Sequence, residues 1–401
     1  KTFLYQPPSI FRRIFVTIGL LVGLKRHDFN AARSWTKRNY GTSNVIIKLF
    51  RFTGWVTRTM LVTIPNAMVG VTFANPMSTV SHWIASGNPI ENHPWASNQN
   101  SNLPKNAEVV VIGAGFTGAA SAYHWSKQGI GSMVVVEMNE AASGASGRNE
   151  GVVVMGRFFS YVKEMMLDDL LETRPDLTND ERVELAQKFA EKYVRAAYKN
   201  ADMIEKTIRK EKYEVEYIRA GWVENFDDRQ DYIDESIKES EDFGFDDWTK
   251  LSPREVLEIS GIEAKKYNGF SKSAATWNPA KWVWALLSTA ILSDKVSFFS
   301  NTLVNEIVDN GNNYAVHTTR GTIQTKYIIN ATESYTANLH PQFIDKLWPL
   351  QTQAAFAEGG PSTIKQGVAM GGANSWFGKH QGGIFMGSDG TRVHHTRAGY
   401  I

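Results

Sequence analysis

The chain has 401 residues, 42% apolar and 21% charged, which suits two or three folded domains with sizeable cores. It contains no cysteine, which excludes disulfides, thiolate catalysis and cysteine-ligated zinc or iron–sulfur centres. The formal net charge of +2 conceals an asymmetry: residues 1–106 hold twelve Lys or Arg against only Asp28 and Glu91, so the acids fall on the remainder.

A basic arm of this kind suits a negatively charged surface, either a membrane or a protein partner. No nucleic acid is expected as a partner. Arg12 and Arg13 open onto an apolar run, residues 14–24, closed by Lys25 and Arg26. The run is short of the roughly 20 residues of a spanning helix, and a signal peptide would exit through small residues rather than a basic pair. The Arg- and hydroxyl-rich composition with few acids also matches an organellar transit sequence. A second run, residues 59–74, is broken by Pro65 and Asn66. The expectation is a set of helices lying in a membrane interface, with Trp35, Trp55, Trp83 and Trp95 as anchors. An ordinary extra domain with a basic face is the alternative. Residues 86–106, rich in Pro, Asn and Ser, read as a linker that ends at a domain boundary.

Residues 108–112 then read as a buried strand, 116–128 as a helix whose Ala119, Ala120, Ala122 and Tyr123 can face a sheet, and 132–137 as the next strand. Their connection carries Gly113, Gly115 and Gly118. In such a βαβ unit the first glycine permits the tight turn, the second lets a diphosphate approach the backbone, and the third lets helix and strand pack closely. Phe116 and Thr117 open the helix, whose N-terminal N–H groups and dipole favour negative charge. Glu137 ends the second strand, where a carboxylate holds ribose hydroxyls and repels a 2′-phosphate, an argument against NADP. A Walker lysine motif, HExxH and GxSxG do not occur. No metal site is expected, since His394-His395 lacks a third ligand nearby.

Residues 141–154 (AASGASGRNEGVVV) form a second small-residue loop where a simple NAD domain would begin another helix. Residues 177–208 read as one long helix, with a Thr178–Glu181 capping box. Its stripe of Leu185, Phe189, Tyr193, Ala197, Ala201, Ile204 and Ile208 is expected to be core.

The stretch Gly144-Ala145-Ser146-Gly147-Arg148-Asn149-Glu150-Gly151 resembles the flavin loop, G-A-S-G-R-N-G-G, of the D-amino-acid oxidase and glycine oxidase family of FAD-dependent oxidoreductases, nearest its gamma-glutamylputrescine oxidase branch. The resemblance continues more weakly through 252–262, 274–290, 301–307 and 327–336, and covers about residues 107–393. It implies an α/β fold: a Rossmann-like FAD-binding domain (107–155 and 275–335) interleaved with an antiparallel-sheet α+β substrate domain (156–274 and 336–401), after the basic extension (1–106). Residues 214–226 and 351–360 resemble strands of the substrate sheet. By the same resemblance Ser143, Ser146, Arg148 and Asn149 wrap FAD, Val304 offers backbone to adenine, and the stretch through Ala331 passes beneath the phosphates.

The family's chemistry is hydride transfer from the carbon of an amine or amino acid to flavin, and needs little acid–base machinery. Glu150 and Arg392 are the candidates beside the ring, with His394 near the latter. Glu150 and Glu333 stand where relatives carry glycine, and the family's last Gly-rich segment, which closes over the flavin, has no counterpart before Ile401. Two functions stay open: a membrane-associated FAD-dependent amine or amino-acid oxidoreductase, and a non-catalytic accessory subunit of a respiratory-type membrane complex. In either, residues 1–106 would meet other protein subunits and the membrane surface at a mitochondrial or bacterial inner membrane, with the FAD domain on the matrix or cytoplasmic side.

Overall fold

The computed structural model describes residues 44–58, 80–95, 101–128, 130–154, 159–225, 230–343, 354–371 and 375–388. The chain divides into two compact units, Lys1–Ser78 with Thr391–Thr396, and Thr79–Gly390 with Arg397–Ile401. The described part of the first is helix α1 (Val45–Arg58), which carries Lys48, Arg51 and Arg58 and no acid. Val45, Ile46 and Phe50 are each 75% exposed on it.

The second unit opens with α2 (His82–Ala85), β1 (Asn106–Ile112), α3 (Phe116–Gln128) and β2 (Met133–Val136). It continues through β3 (Val152–Val153), α4 (Phe159–Thr173), α5 (Asn179–Glu211), β4 (Trp222–Asn225) and α6 (Gln230–Asp242). Next come β5 (Trp248–Leu251), α7 (Pro253–Ser260), β6 (Asn268–Ser271), β7 (Ala275–Thr276), α8 (Pro279–Ile291) and β8 (Val296–Phe299). A meander of β9 (Val304–Asp309), β10 (Tyr314–Thr318) and β11 (Gly321–Asn330) leads through α9 (Thr336–Leu339) to β12 (Ala354–Glu358), β13 (Ala369–Gly371), β14 (Ser375–His380) and β15 (Gly383–Ser388).

Two large sheets organise these strands, and β3 and β7 pair as a separate short ribbon. The first runs β8-β2-β1-β11-β10-β9, parallel from β8 to β11 and antiparallel through the meander. Continuous apolar runs such as Val109 to Ile112 suit a sheet covered on both faces. Alternate side chains supply the two covers: Val109 and Val111 join a core with Ala119 and Ala122 of α3 and Val283 and Leu287 of α8, while Val110 and Ile112 join Val304, Val316 and Ile323 of the meander. The second sheet runs β12-β15-β14-β13-β4-β6-β5 and is antiparallel except for the β13–β4 pair. Its strands come from residues 222–271 and 354–388, on either side of the segment that returns to the first sheet. The expected interleaving of two sheets is thus present.

Three expectations need correction. The capping box of α5 forms, with Glu181 N–H on Thr178 Oγ1 and Thr178 N–H on the Glu181 carboxylate. The second half of the helix follows the expected stripe, with Ala201 buried and Ile204 and Ile208 packed on the core, but in the first half Ala186, Ala190 and Val194 are buried while Leu185, Phe189 and Tyr193 are 39, 41 and 47% exposed. Small residues let α5 approach Phe159 of α4 and Phe245 closely, so the alanine row wins over the bulky row beside it. Trp83 is 1% exposed and so cannot be an interfacial anchor; Trp95 packs on the Phe299 ring at 5.4 Å. Trp35 and the Trp55 side chain lie outside the described residues. Finally, the second unit begins at Thr79 rather than near residue 106, because Trp83 and Ile90 are buried in the same core as α3 and α8.

Candidate flavin site

β1 turns into α3 at Gly113, whose φ of 105° is left-handed and whose missing Cβ would lie 2.4 Å from the Ala331 carbonyl oxygen. Ala331 stands there because β11 runs parallel to β1 and passes its N–H to Ile112 O at 2.8 Å. At Gly118 a Cβ would lie 1.9 Å from Gly113 O, and at Gly115 it would meet Ser146 Oγ at 2.7 Å. Gly113 and Gly118 therefore admit no side chain, while at Gly115 a side chain would displace the Ser146 hydroxyl.

Glu137 leaves β2 at the same end. Its carboxylate accepts from Ala114 N–H at 2.9 Å and Asn139 N–H at 3.0 Å. Burial nonetheless pushes its carboxyl above the usual range, those backbone donors opposing and Glu140 adding to it. Thr302 N–H reaches Glu137 O at 2.8 Å, bringing the β8–β9 connection to this rim just before Val304, whose side chain is buried beneath the sheet.

The second loop lies over the start of α3. Ser146 Oγ accepts from Phe116 N–H at 2.9 Å, filling one of the donor positions that a helix N-terminus leaves open. Phe116 is half-buried against Trp277 at 5.5 Å, and Thr117 is exposed in the first turn. Arg148 is exposed and its Nε donates to Ser143 O at 2.7 Å. The Asn149 side chain shapes the loop: Nδ2 donates to Ser146 O at 2.9 Å, and Oδ1 accepts from Gly151 N–H at 2.9 Å. Glu150 is half-buried, and its carbonyl accepts from His380 Nε2 at 2.9 Å. A carbonyl only accepts, so the neutral ring carries its proton on Nε2. His380 is 4% exposed, and burial lowers its pKa to about 4. Glu333 begins a short 3₁₀ turn after Ala331 with φ of 48°, a left-handed conformation held by a glutamate. Arg392 and His394 lie outside the described residues.

The structure thus gathers Gly113, Gly115, Phe116, Gly118, Glu137, Ser146 and Ala331 at one rim. It also contributes Trp83, expected above as an interfacial anchor, and Trp277 and His380, which the sequence pattern did not mark. All three reach the loop from distant segments, and only the bulk of the tryptophans could have hinted at burial. A cradle with its Cβ positions blocked, a helix N-terminus and a carboxylate at the strand end fit the diphosphate and ribose of a dinucleotide.

The DAO family profile, that of FAD dependent oxidoreductases, matches residues 108–393. The chain belongs to this family. The match spans the glycine turn, Glu137 and the loop through Ser146 just described. Among solved structures, the DAO unit resembles the insertion-deleted L-amino acid deaminase from Proteus vulgaris (TM-score 0.55, 18% identity, 75% of this chain and 73% of that one). It also resembles the L-amino acid deaminase from Proteus myxofaciens in complex with anthranilate (0.53, 17%, 72% and 59%) and glycine oxidase from Bacillus cereus (0.52, 16%, 70% and 70%). At these identities the likeness concerns the fold. No curated protein sequence matches the chain.

Proposed function

We propose that this DAO-family oxidoreductase oxidises the C–N bond of an amine or amino acid, working at a membrane. The observation that carries the reading is the backbone cradle at Gly113, Gly115 and Gly118, backed by Ala331 and flanked by Glu137. Gly113 and Gly115 would hold the diphosphate against the start of α3, and Glu137 the ribose hydroxyls. When bound, FAD supplies the hydride acceptor. The neutral His380 fixes Glu150 O and so holds the loop that leads into the second sheet. The substrate class is supported by the amino-acid enzymes among the structural relatives. Purified protein should absorb near 450 nm, and anaerobic addition of amines and amino acids should bleach that band; a colourless protein that takes up no FAD would refute the proposal.

The membrane part rests on α1. Three cations without an acid and several exposed apolar side chains suit the surface of an anionic bilayer, where each Lys or Arg contributes about 1 kcal/mol. The rest of the basic region would meet partner subunits. Among the described residues no helix is long and apolar enough to cross a membrane, so a surface helix is the form proposed. Co-sedimentation with phosphatidylserine vesicles, and its loss in an Ile46→Asp, Phe50→Asp variant, tests it.

The accessory-subunit reading keeps one observation in its favour. Glu333, at a position where the family resemblance expects glycine, has a left-handed backbone and places an acid two residues after Ala331.

A further inference from the structure

Within residues 141–151, the carbonyls of Ala141, Gly147, Asn149, Glu150 and Gly151 accept from groups elsewhere in the chain. Two of those donors belong to the short segment ahead of β1. Ser81 Oγ donates to Gly147 O at 2.5 Å and Trp83 Nε1 to Asn149 O at 2.7 Å, each from 66 positions away. Ser81 is itself fixed as the N-cap of α2, accepting from Ile84 N–H at 3.2 Å. The Trp83 ring is held on its other sides by Phe385, stacked at 5.2 Å, and by His380, edge-on at 4.9 Å.

The glycines of the loop fit this segment closely. A Cβ at Gly151 would lie 2.6 Å from Trp277 O and 2.8 Å from Trp83 Cζ2, and one at Gly147 would lie 2.1 Å from Ala142 O and 2.9 Å from Ile84 Cδ1. At both positions backbone excludes a side chain first, and Ile84 and Trp83 pack against the space that remains.

We infer that residues 81–83 are a positioning clamp for the flavin loop: Ser81 and Trp83 hold the outer carbonyls so that the opposite side presents Ser146 to the N-terminus of α3. The segment ahead of the nucleotide-binding strands is then a working part of the cofactor site. Without the clamp, the Gly147 and Asn149 carbonyls lose their protein donors, the loop opens more often, and FAD is held less tightly. This rests on the flavin-site reading above, so the test carries one readout that needs no flavin.

Ser81→Ala and Trp83→Phe each remove one donor and keep most of the packing. Trypsin cleavage after the exposed Arg148 in the apoprotein reports loop opening, and FAD titration reports affinity. Losing one such hydrogen bond predicts about a fivefold faster cut and a Kd raised by about the same factor in each variant, with circular dichroism unchanged. Unchanged cleavage in both variants, or tighter FAD binding, would overturn the clamp; tighter binding would mean that Trp83 obstructs the site. If wild-type protein takes up no FAD, the flavin reading fails while the cleavage rates still decide the inference.

Discussion

His380 makes the folded second unit less stable as pH falls. The ring is 4% exposed and its pKa falls from 6.5 to about 4, first through burial, with His82 adding. The Glu150 carbonyl and the Glu216 carboxylate act the other way, favouring the charged ring. In the unfolded chain the ring protonates near 6.5, so below that pH the unfolded state binds a proton that the folded state refuses. The contribution is complete above 6.5, declines as pH falls, and is exhausted near 4. At about 1.4 kcal/mol per unit of pKa, the full difference is about 3 kcal/mol. His82, also lowered by burial, moves in the same direction but is common to wild type and variant. His380→Gln keeps a donor for Glu150 O and removes the titration. Urea unfolding followed by far-UV circular dichroism, from about pH 7 to about pH 4, should show wild type losing about 3 kcal/mol more than the variant. Parallel profiles would refute the argument, as would a steeper loss in the variant.

Gly118→Ala places a methyl 1.9 Å from Gly113 O, a contact that only a shift of α3 relieves, so bound flavin after gel filtration should fall to background in a protein with normal circular dichroism. Full flavin stoichiometry would count against the cradle. Asp247 is 3% exposed and accepts from Tyr198 Oη at 3.1 Å, Ser273 N–H at 2.9 Å and Ser271 Oγ. Asp247→Ala leaves these donors buried and should cost about 3 kcal/mol in urea unfolding; a loss within experimental error would show the network to be dispensable. Glu333→Gly relieves about 1 kcal/mol of left-handed strain and removes an acid close to the diphosphate stretch, so calorimetric titration should give a lower Kd for FAD. A higher Kd would mean that the carboxylate assists binding.

The β1–α3–β2 unit and its glycine roles were legible because each depends on neighbours within about thirty residues, as was the capping box of α5. The face of the first half of α5 was not: two rows of apolar residues run side by side, and only the partner, Phe159 with Phe245, selects the alanine row. The burial of Trp83 and Ile90 was equally hidden, since they sit in a mostly polar, mostly exposed stretch and give no period. His380 carries no local signal at all, because its role comes from a carbonyl 230 positions earlier. The reading of Asn149 as a cofactor ligand met a loop that uses both ends of the side chain internally.

The strand order of the first sheet has a consequence for how the protein is made. β1 has β2 on one side, but its other neighbour is β11, and Thr325 Oγ1 closes onto Glu108 O across 217 positions. During synthesis at roughly 5–20 residues per second, the finished glycine turn waits tens of seconds for Ala331 to arrive behind Gly113. Throughout that interval an apolar parallel strand has an open edge while the second sheet's first three strands are still emerging, the situation in which nascent chains mispair or recruit chaperones. If FAD sits at the turn backed by Ala331, as proposed, it cannot rescue the early half, so the rate of biogenesis should depend on protection of the nascent chain rather than on cofactor supply.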